Sequence, residues 1–267
     1  MSNVIAFVSI KGGVGKTTLA LETAASLVNE YGKKVLLIDA NFSAPNIGLY
    51  LDLTTEETLH DVLSGVGLNL AIYEAHGIDV VPANLDHFDK ADIFKLKKII
   101  SKFKARYDFI ILDSSPNHEE LKPVIAAADR IFIVTSPDHV TLLTSLKAAQ
   151  VAKRQKTPIE GILVNRIRSP RHEYDISQIE KISKIPVFAK IPDHKNIARA
   201  IHQKTPISVL EPKNKVSKEI SNFASALCGK PEKPSGIFKN FLPFKNLFGK
   251  EIVNRELMRQ DFYRSQL

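Results

Sequence analysis

The stretch Val4-Ile5-Ala6-Phe7-Val8-Ser9-Ile10-Lys11-Gly12-Gly13-Val14-Gly15-Lys16-Thr17-Thr18 constrains this chain more than any other. An apolar, β-rich run enters it, three glycines turn it, and residues 19–27 leave it with the composition of a helix. Strand, glycine turn and helix in that order are the signature of a phosphate-binding loop. Glycine lets the backbone curl until several N–H groups converge, and the helix N-terminus adds its partial positive charge at the same point. Lys16 then offers a compact cation to the β- and γ-phosphates, and the Thr17 hydroxyl stands where Mg²⁺ is ligated.

Such a loop implies a particular surrounding. Apolar runs at 34–39, 78–83, 109–113, 131–135, 161–165 and 187–191 read as strands, several apolar throughout, as in a sheet covered on both faces. Helical stretches at 58–63, 91–105 and 138–154 alternate with them. The expected fold is α/β: a doubly wound, mostly parallel sheet with helices on both faces. Ligands of such sheets sit beyond the carboxyl ends of the strands, which puts Asp39 and Asp113, each closing an apolar run, beside the loop. The lysines of 91–105 read as a solvated face. Near Gly229 the composition shifts, giving three expected parts: a phosphate-loop domain at 1–229, a Pro/Gly/Lys linker at 230–236 and a phenylalanine-rich tail at 237–267.

Composition narrows the function. A single cysteine, Cys228, excludes an intrachain disulfide and a thiolate-held iron–sulfur cluster. The eight histidines show no zinc-binding spacing. With 37 basic and 29 acidic residues the formal charge is +8, which favours an anionic partner: nucleotide, DNA or an acidic lipid surface. No basic region precedes the first strand, so no signal peptide is expected, and no apolar run approaches the roughly 20 residues of a membrane span.

The general phosphate-loop pattern asks for glycine at position 10, where this chain has Ile10, and Lys11 precedes the glycine pair instead. Lys-Gly-Gly-Val-Gly-Lys-Thr-Thr, residues 11–18, resembles the deviant Walker A loop of the MinD/ParA family of ATPases. The resemblance covers residues 1 to about 225 and is strongest at 9–18, 35–41 and 109–116. It implies ATP and Mg²⁺ as cofactors. Lys11, Gly12, Gly13, Val14, Gly15, Lys16, Thr17 and Thr18 would hold the phosphates, and Thr17, Asp39 and Asp113 the metal, Asp113 as the Walker B acid. Lys11, Lys16, Asp39 and Asn41 form the implied catalytic set. The extra lysine, Lys11, would cross a dimer interface to the partner's nucleotide. Where relatives read Asp-x-Asp, this chain reads Asp39-Ala40-Asn41. An amide orients water but takes no proton, so slow turnover is expected. No Asn-Lys-x-Asp guanine motif exists, whereas Asn165-Arg166 and Pro192-Asp193 resemble adenine-flanking segments of MinD-like proteins.

The implied function is an ATP-dependent dimerising switch, MinD-like, that controls position at the membrane or in cell division. Its expected place is cytoplasmic and, reversibly, the inner face of the cell membrane. The alternatives are a ParA-like partition ATPase binding DNA non-specifically, a nucleotide-binding scaffold with negligible turnover, and a metabolic kinase or ligase using the same loop, which gives Lys11 no role. Residues 237–249 resemble the basic amphipathic helix that ends MinD proteins. Phe244, Leu247 and Phe248 share one face, and Lys239, Lys245 and Lys250 suit an anionic membrane surface. The other reading of these phenylalanines is a tail docked on the ATPase body, covering a groove between helices. Residues 251–267 continue beyond the usual end of such an anchor. That extension is expected either to bind a partner or to mask the anchor. An activating or cargo protein is a further expected partner.

Overall fold

Apolar side chains along the first strand divide between two cores. Val4, Ala6 and Val8 enter one and Ile5 and Phe7 the other, the alternation of a strand buried on both faces. The computed structural model describes residues 3–84, 92–168, 171–229 and 261–266. Its strands are β1 (Asn3–Val8), β2 (Val35–Ala40), β3 (Tyr73–Ala75), β4 (Ile78–Val81), β5 (Phe109–Ser114), β6 (Arg130–Thr135), β7 (Ile159–Ile167) and β8 (Val187–Pro192). They form one sheet in the order β3-β4-β2-β5-β1-β6-β7-β8, parallel except for the β3–β4 hairpin. Strand order reverses about β1, which has β5 on one side and β6 on the other. That switch point is where open α/β sheets bind ligands.

The helices are α1 (Lys16–Asn29), α2 (Ile47–Tyr50), α3 (Leu59–Ser64), α4 (Leu96–Ser101), α5 (His118–Ala127), α6 (His139–Ser145), α7 (Lys147–Gln155), α8 (Ile176–Ser183), α9 (Asn196–His202), α10 (Ile207–Leu210) and α11 (Lys215–Leu227). Buried residues of α1, α9, α10 and α11 pack on one face of the sheet, and those of α3 through α8 on the other. Phe7, Phe132, Phe188 and Phe223 meet beneath α11 with ring centroids 5.0–6.2 Å apart. Glu22, buried in α1, accepts N–H from Ile207 (2.6 Å) and Ser208 (3.0 Å), tying the loop's own helix to α10.

The structure corrects four expectations. The edge strand β3 is additional. The strand expected at 78–83 ends at Val81, because Pro82 has no N–H for the ladder and its carbonyl accepts from Leu59 instead. The single helix expected over 91–105, whose first residue lies outside the described residues, is three short pieces: 3₁₀ turns at Ile93–Lys95 and Lys104–Arg106 flanking α4. Lysines 95, 97, 98, 102 and 104 recur at helical neighbour spacing and repel, while Leu96 and Ile100 still bury. The helix expected over 138–154 is likewise two, α6 and α7, joined at Leu146. The linker at 230–236 and the amphipathic segment at 237–249 lie outside the described residues.

A nucleotide cleft at the carboxyl ends of the strands

The loop after β1 is held in shape from several sides. Gly13 (φ 76°) and Gly15 (φ 91°) occupy left-handed conformations that L side chains rarely adopt. At Gly15 there is a second demand: a Cβ would lie 2.3 Å from the Asn165 amide nitrogen. That nitrogen donates to the Val14 carbonyl (2.8 Å), so the end of β7 braces the loop. Ser9 accepts the Lys11 N–H (3.2 Å) and shares a hydrogen bond with Ser145 of α6 (2.9 Å). Lys16 opens α1 and is 6% exposed, whereas Lys11 on the same loop is exposed. Burial pulls the Lys16 ammonium below the ordinary lysine range, and the Asp113 carboxylate opposes that shift.

Asp39 and Asp113 face each other in the β2–β5 register, both with no exposed surface. Their surroundings differ. Asp39 accepts N–H from Asn41 (3.2 Å), Asn46 (2.9 Å) and Ile47 (2.9 Å), which folds the 41–47 loop back over the strand end and starts α2. Asp113 accepts the Thr17 hydroxyl on Oδ2 (2.5 Å), and its buried Oδ1 has no hydrogen-bond partner among the described residues. Burial raises both carboxyls, Asp39 to about 6 and Asp113 to about 8, the second raised further by the charge of Asp39. An orphaned carboxylate oxygen beside a threonine hydroxyl, with a second carboxylate across the ladder, fits a divalent cation or its bound water. Thr17 and Asp113 would hold it. Both oxygens of Asp39 already serve the backbone.

Asn41 lines the cleft beside the loop. Its Nδ2 donates to the Ala44 carbonyl (2.5 Å), and its Oδ1 is buried without a partner among the described residues. That oxygen is an acceptor available to a water. The 41–47 and 114–117 loops are knit together: Ser43 meets Ser115 (hydroxyls 3.2 Å apart) and donates its N–H to Glu120 (3.1 Å). The cleft measures about 260 Å³ and is lined by loop residues 12, 13 and 15–18, with Asn41, Asn46, Tyr50 and Arg166. That is room for the phosphate end of a nucleotide rather than all of it.

The residues expected around adenine fare differently. Arg166, in a left-handed conformation (φ 59°), lines the cleft. Asn165 donates through its amide nitrogen to the loop carbonyl of Val14. Asp193 accepts Arg168 Nε (2.6 Å) and donates its N–H to Ile167 (2.9 Å), while Pro192 closes β8 beside Ile167. Tyr50, Asn46 and Ser145 are additions that the sequence did not suggest. Tyr50 ends the one-turn helix α2, in a segment with no motif, and Ser145 lies 136 residues from Ser9.

Residues 5–207 match the CobQ/CobB/MinD/ParA nucleotide binding domain. An uncharacterised ATP-binding protein of Methanocaldococcus jannaschii is 32% identical over 263 residues, covering 94% of this chain and 98% of its own. Among solved structures, the septum site-determining protein MinD of Pyrococcus horikoshii, complexed with Mg-ADP, superposes with a TM-score of 0.80 at 29% identity, over 85% of this chain and 96% of that one. The MinC:MinD cell division protein complex of Aquifex aeolicus holds a chain that superposes with a TM-score of 0.77 at 26% identity, over 88% and 98%. A match over this span, with relatives of this kind, means that the chain belongs to the MinD/ParA family of nucleotide-binding ATPases and is MinD-like within it.

Proposed function

We propose that this chain is an ATP-driven positional switch. It binds ATP with Mg²⁺, pairs with a second copy, hydrolyses slowly and thereby leaves the surface it occupied. The observation that carries this reading is the division between two lysines on one loop. Lys16 is buried next to Asp113, as a lysine serving its own subunit's phosphates would be, while Lys11 is exposed, as a lysine reserved for a partner's nucleotide would be. Mg²⁺, held by Thr17 and Asp113, would neutralise phosphate charge. Asn41 would orient the attacking water through its free Oδ1. Asp39 would hold the loop that carries Asn41, so that loss of the γ-phosphate is felt in the loop's backbone.

Two copies joined by nucleotide would bring two tails to one surface. A single short amphipathic segment at 237–249 binds an anionic membrane weakly, and a pair binds by avidity. The switch would then act from the cytoplasm on the inner membrane face, with an activating or cargo protein as its reader. The test is sedimentation velocity of the full chain with Mg-ATP or Mg-ADP, repeated with anionic liposomes. Wild type is expected to dimerise and pellet with lipid in ATP alone. Lys11→Ala is expected to bind nucleotide yet stay monomeric. Dimerisation that survives Lys11→Ala would overturn the trans role of this lysine.

A further inference from the structure

At the opposite edge of the sheet, where β7 begins, the ladder is irregular. Ile131 pairs with Ile159 but Phe132 with Gly161, so Glu160 is an extra residue in the strand. Pairing of β7 with β8 begins only at Ile162, whose N–H goes to Pro186. Peptide groups of Ile159 and Glu160 are therefore left to find partners elsewhere, and they find them more than a hundred residues away. The Gln266 carboxamide accepts the Ile159 N–H (2.6 Å) and donates to the Ile159 carbonyl (2.8 Å), replacing the peptide group of a neighbouring strand. The Tyr263 hydroxyl donates to the Glu160 carbonyl (2.6 Å).

Residues 261–266 form one helical turn, closed by the Ser265 N–H on the Asp261 carbonyl (3.0 Å). Phe262 packs against the core on the α7 and α8 side. A cavity of about 670 Å³ lies against this turn, whose Phe262, Ser265 and Gln266 form part of its wall. Leu146, Ile159 and Ile185 give it apolar walls, and Lys153, Lys156 and Lys184, all exposed, line it as well. Only Phe262 of the six docked residues is half-buried, and the rest are exposed. Contact so specific in hydrogen bonding and so slight in burial is built to be made and broken.

We propose that the groove between α7, the start of β7 and α8 is a peptide-docking site for which the chain carries its own ligand. Residues 261–266 are a latch held in cis. It is displaced by a peptide of the same chemistry: an aromatic side chain for the groove and a carboxamide four residues later for the bulge. The site lies at the amino ends of the strands, away from the nucleotide cleft, and stands independently of the function proposed above.

The test uses the full chain and a fluorescent synthetic peptide of residues 259–267. In Phe262→Ala/Gln266→Ala the groove is vacated and takes the peptide. In wild type the chain's own segment competes, and a groove open about a tenth of the time weakens the apparent affinity about tenfold. Hydrogen exchange supplies the second measurement: the Ile159 amide exchanges about tenfold faster in the double variant, with Ile162 and Val164 unchanged. Tyr263→Phe, which removes one hydroxyl, gives a smaller change of the same sign. Equal peptide affinity for the two proteins, no binding by the double variant, or unchanged exchange at Ile159 each overturns the latch.

Discussion

The cleft at the carboxyl ends of the strands and the groove at their amino ends are both places where the ladder stops, and they finish it in opposite ways. Around the cleft, Lys16, Asp39 and Asp113 are buried ionisable groups, and Asp113 Oδ1 and Asn41 Oδ1 are left without partners among the described residues. One buried lysine faces two buried carboxyl groups, and Asp113 holds a proton at neutral pH until a ligand replaces it. Around the groove, neutral peptide groups of Ile159 and Glu160 are capped by an exposed carboxamide and a phenol from the same chain. The first region requires a partner, whereas the second brings its own. Size does not separate the two, since the groove is the larger; the kind of group left for a ligand does.

The largest effect should separate the two regions outright. Truncating a buried, paired charge costs about 2–5 kcal/mol, so Lys16→Ala should weaken nucleotide binding roughly thirtyfold or more. In a thermal melt, wild type at about a hundred times the Kd of Mg-ATP gains about 2.7 kcal/mol, a rise of roughly 5–10 °C. Lys16→Ala should lose most of that rise and Phe262→Ala should keep it. A Phe262→Ala protein that also fails to respond to nucleotide would show that the two ends of the sheet are coupled.

A smaller effect probes how the cleft spends its amide. If Asn41 only orients water, Asn41→Asp supplies a proton acceptor and should raise single-turnover hydrolysis. A general base contributes at least about a hundredfold where it matters, and the low end applies because phosphoryl transfer depends mostly on positioning. The structure adds a cost: Asn41 Nδ2 donates to the Ala44 carbonyl, and a carboxylate there would face that oxygen without a proton. An unchanged rate would mean that the side chain's duty is to shape the 41–47 loop.

How far each region was legible follows from the range of its contacts. The loop, its helix and the strand-end acids are written in consecutive residues, and the unbroken apolar runs of β1, β2 and β5 announce a sheet covered on both faces. Asp39 was legible as a site residue but its employment was not, because its partners are backbone N–H groups of a loop without a motif. Asn165 was legible as a strand-end amide, but its brace on Val14 across 151 residues is a pairing no local pattern carries. β3 is three residues long, too short to show a period. The groove depends on a one-residue slip in β7 and a glutamine 107 residues later, both invisible until the chain is folded.

The smallest effect concerns the proton that stands in for the missing cation. Burial and the Asp39 charge hold Asp113 at about 8, so without metal it is largely protonated at neutral pH. An acid raised on folding stabilises the fold fully below its unfolded value near 4, and that contribution is lost as pH climbs through about 8. A cation or its bound water needs the ionised form and must expel the proton, so its apparent affinity should rise with pH. From about pH 6.5 to about pH 7.5 the rise should approach tenfold, measured by Mg²⁺ titration of nucleotide-bound protein. Asp113→Asn should abolish both this slope and the loss of metal-free stability toward pH 8, while Gln266→Ala should alter neither. A slope that persists without Asp113 would assign the proton to Asp39, and the cleft's unfinished charge would then lie on the β2 side of the loop instead of the β5 side.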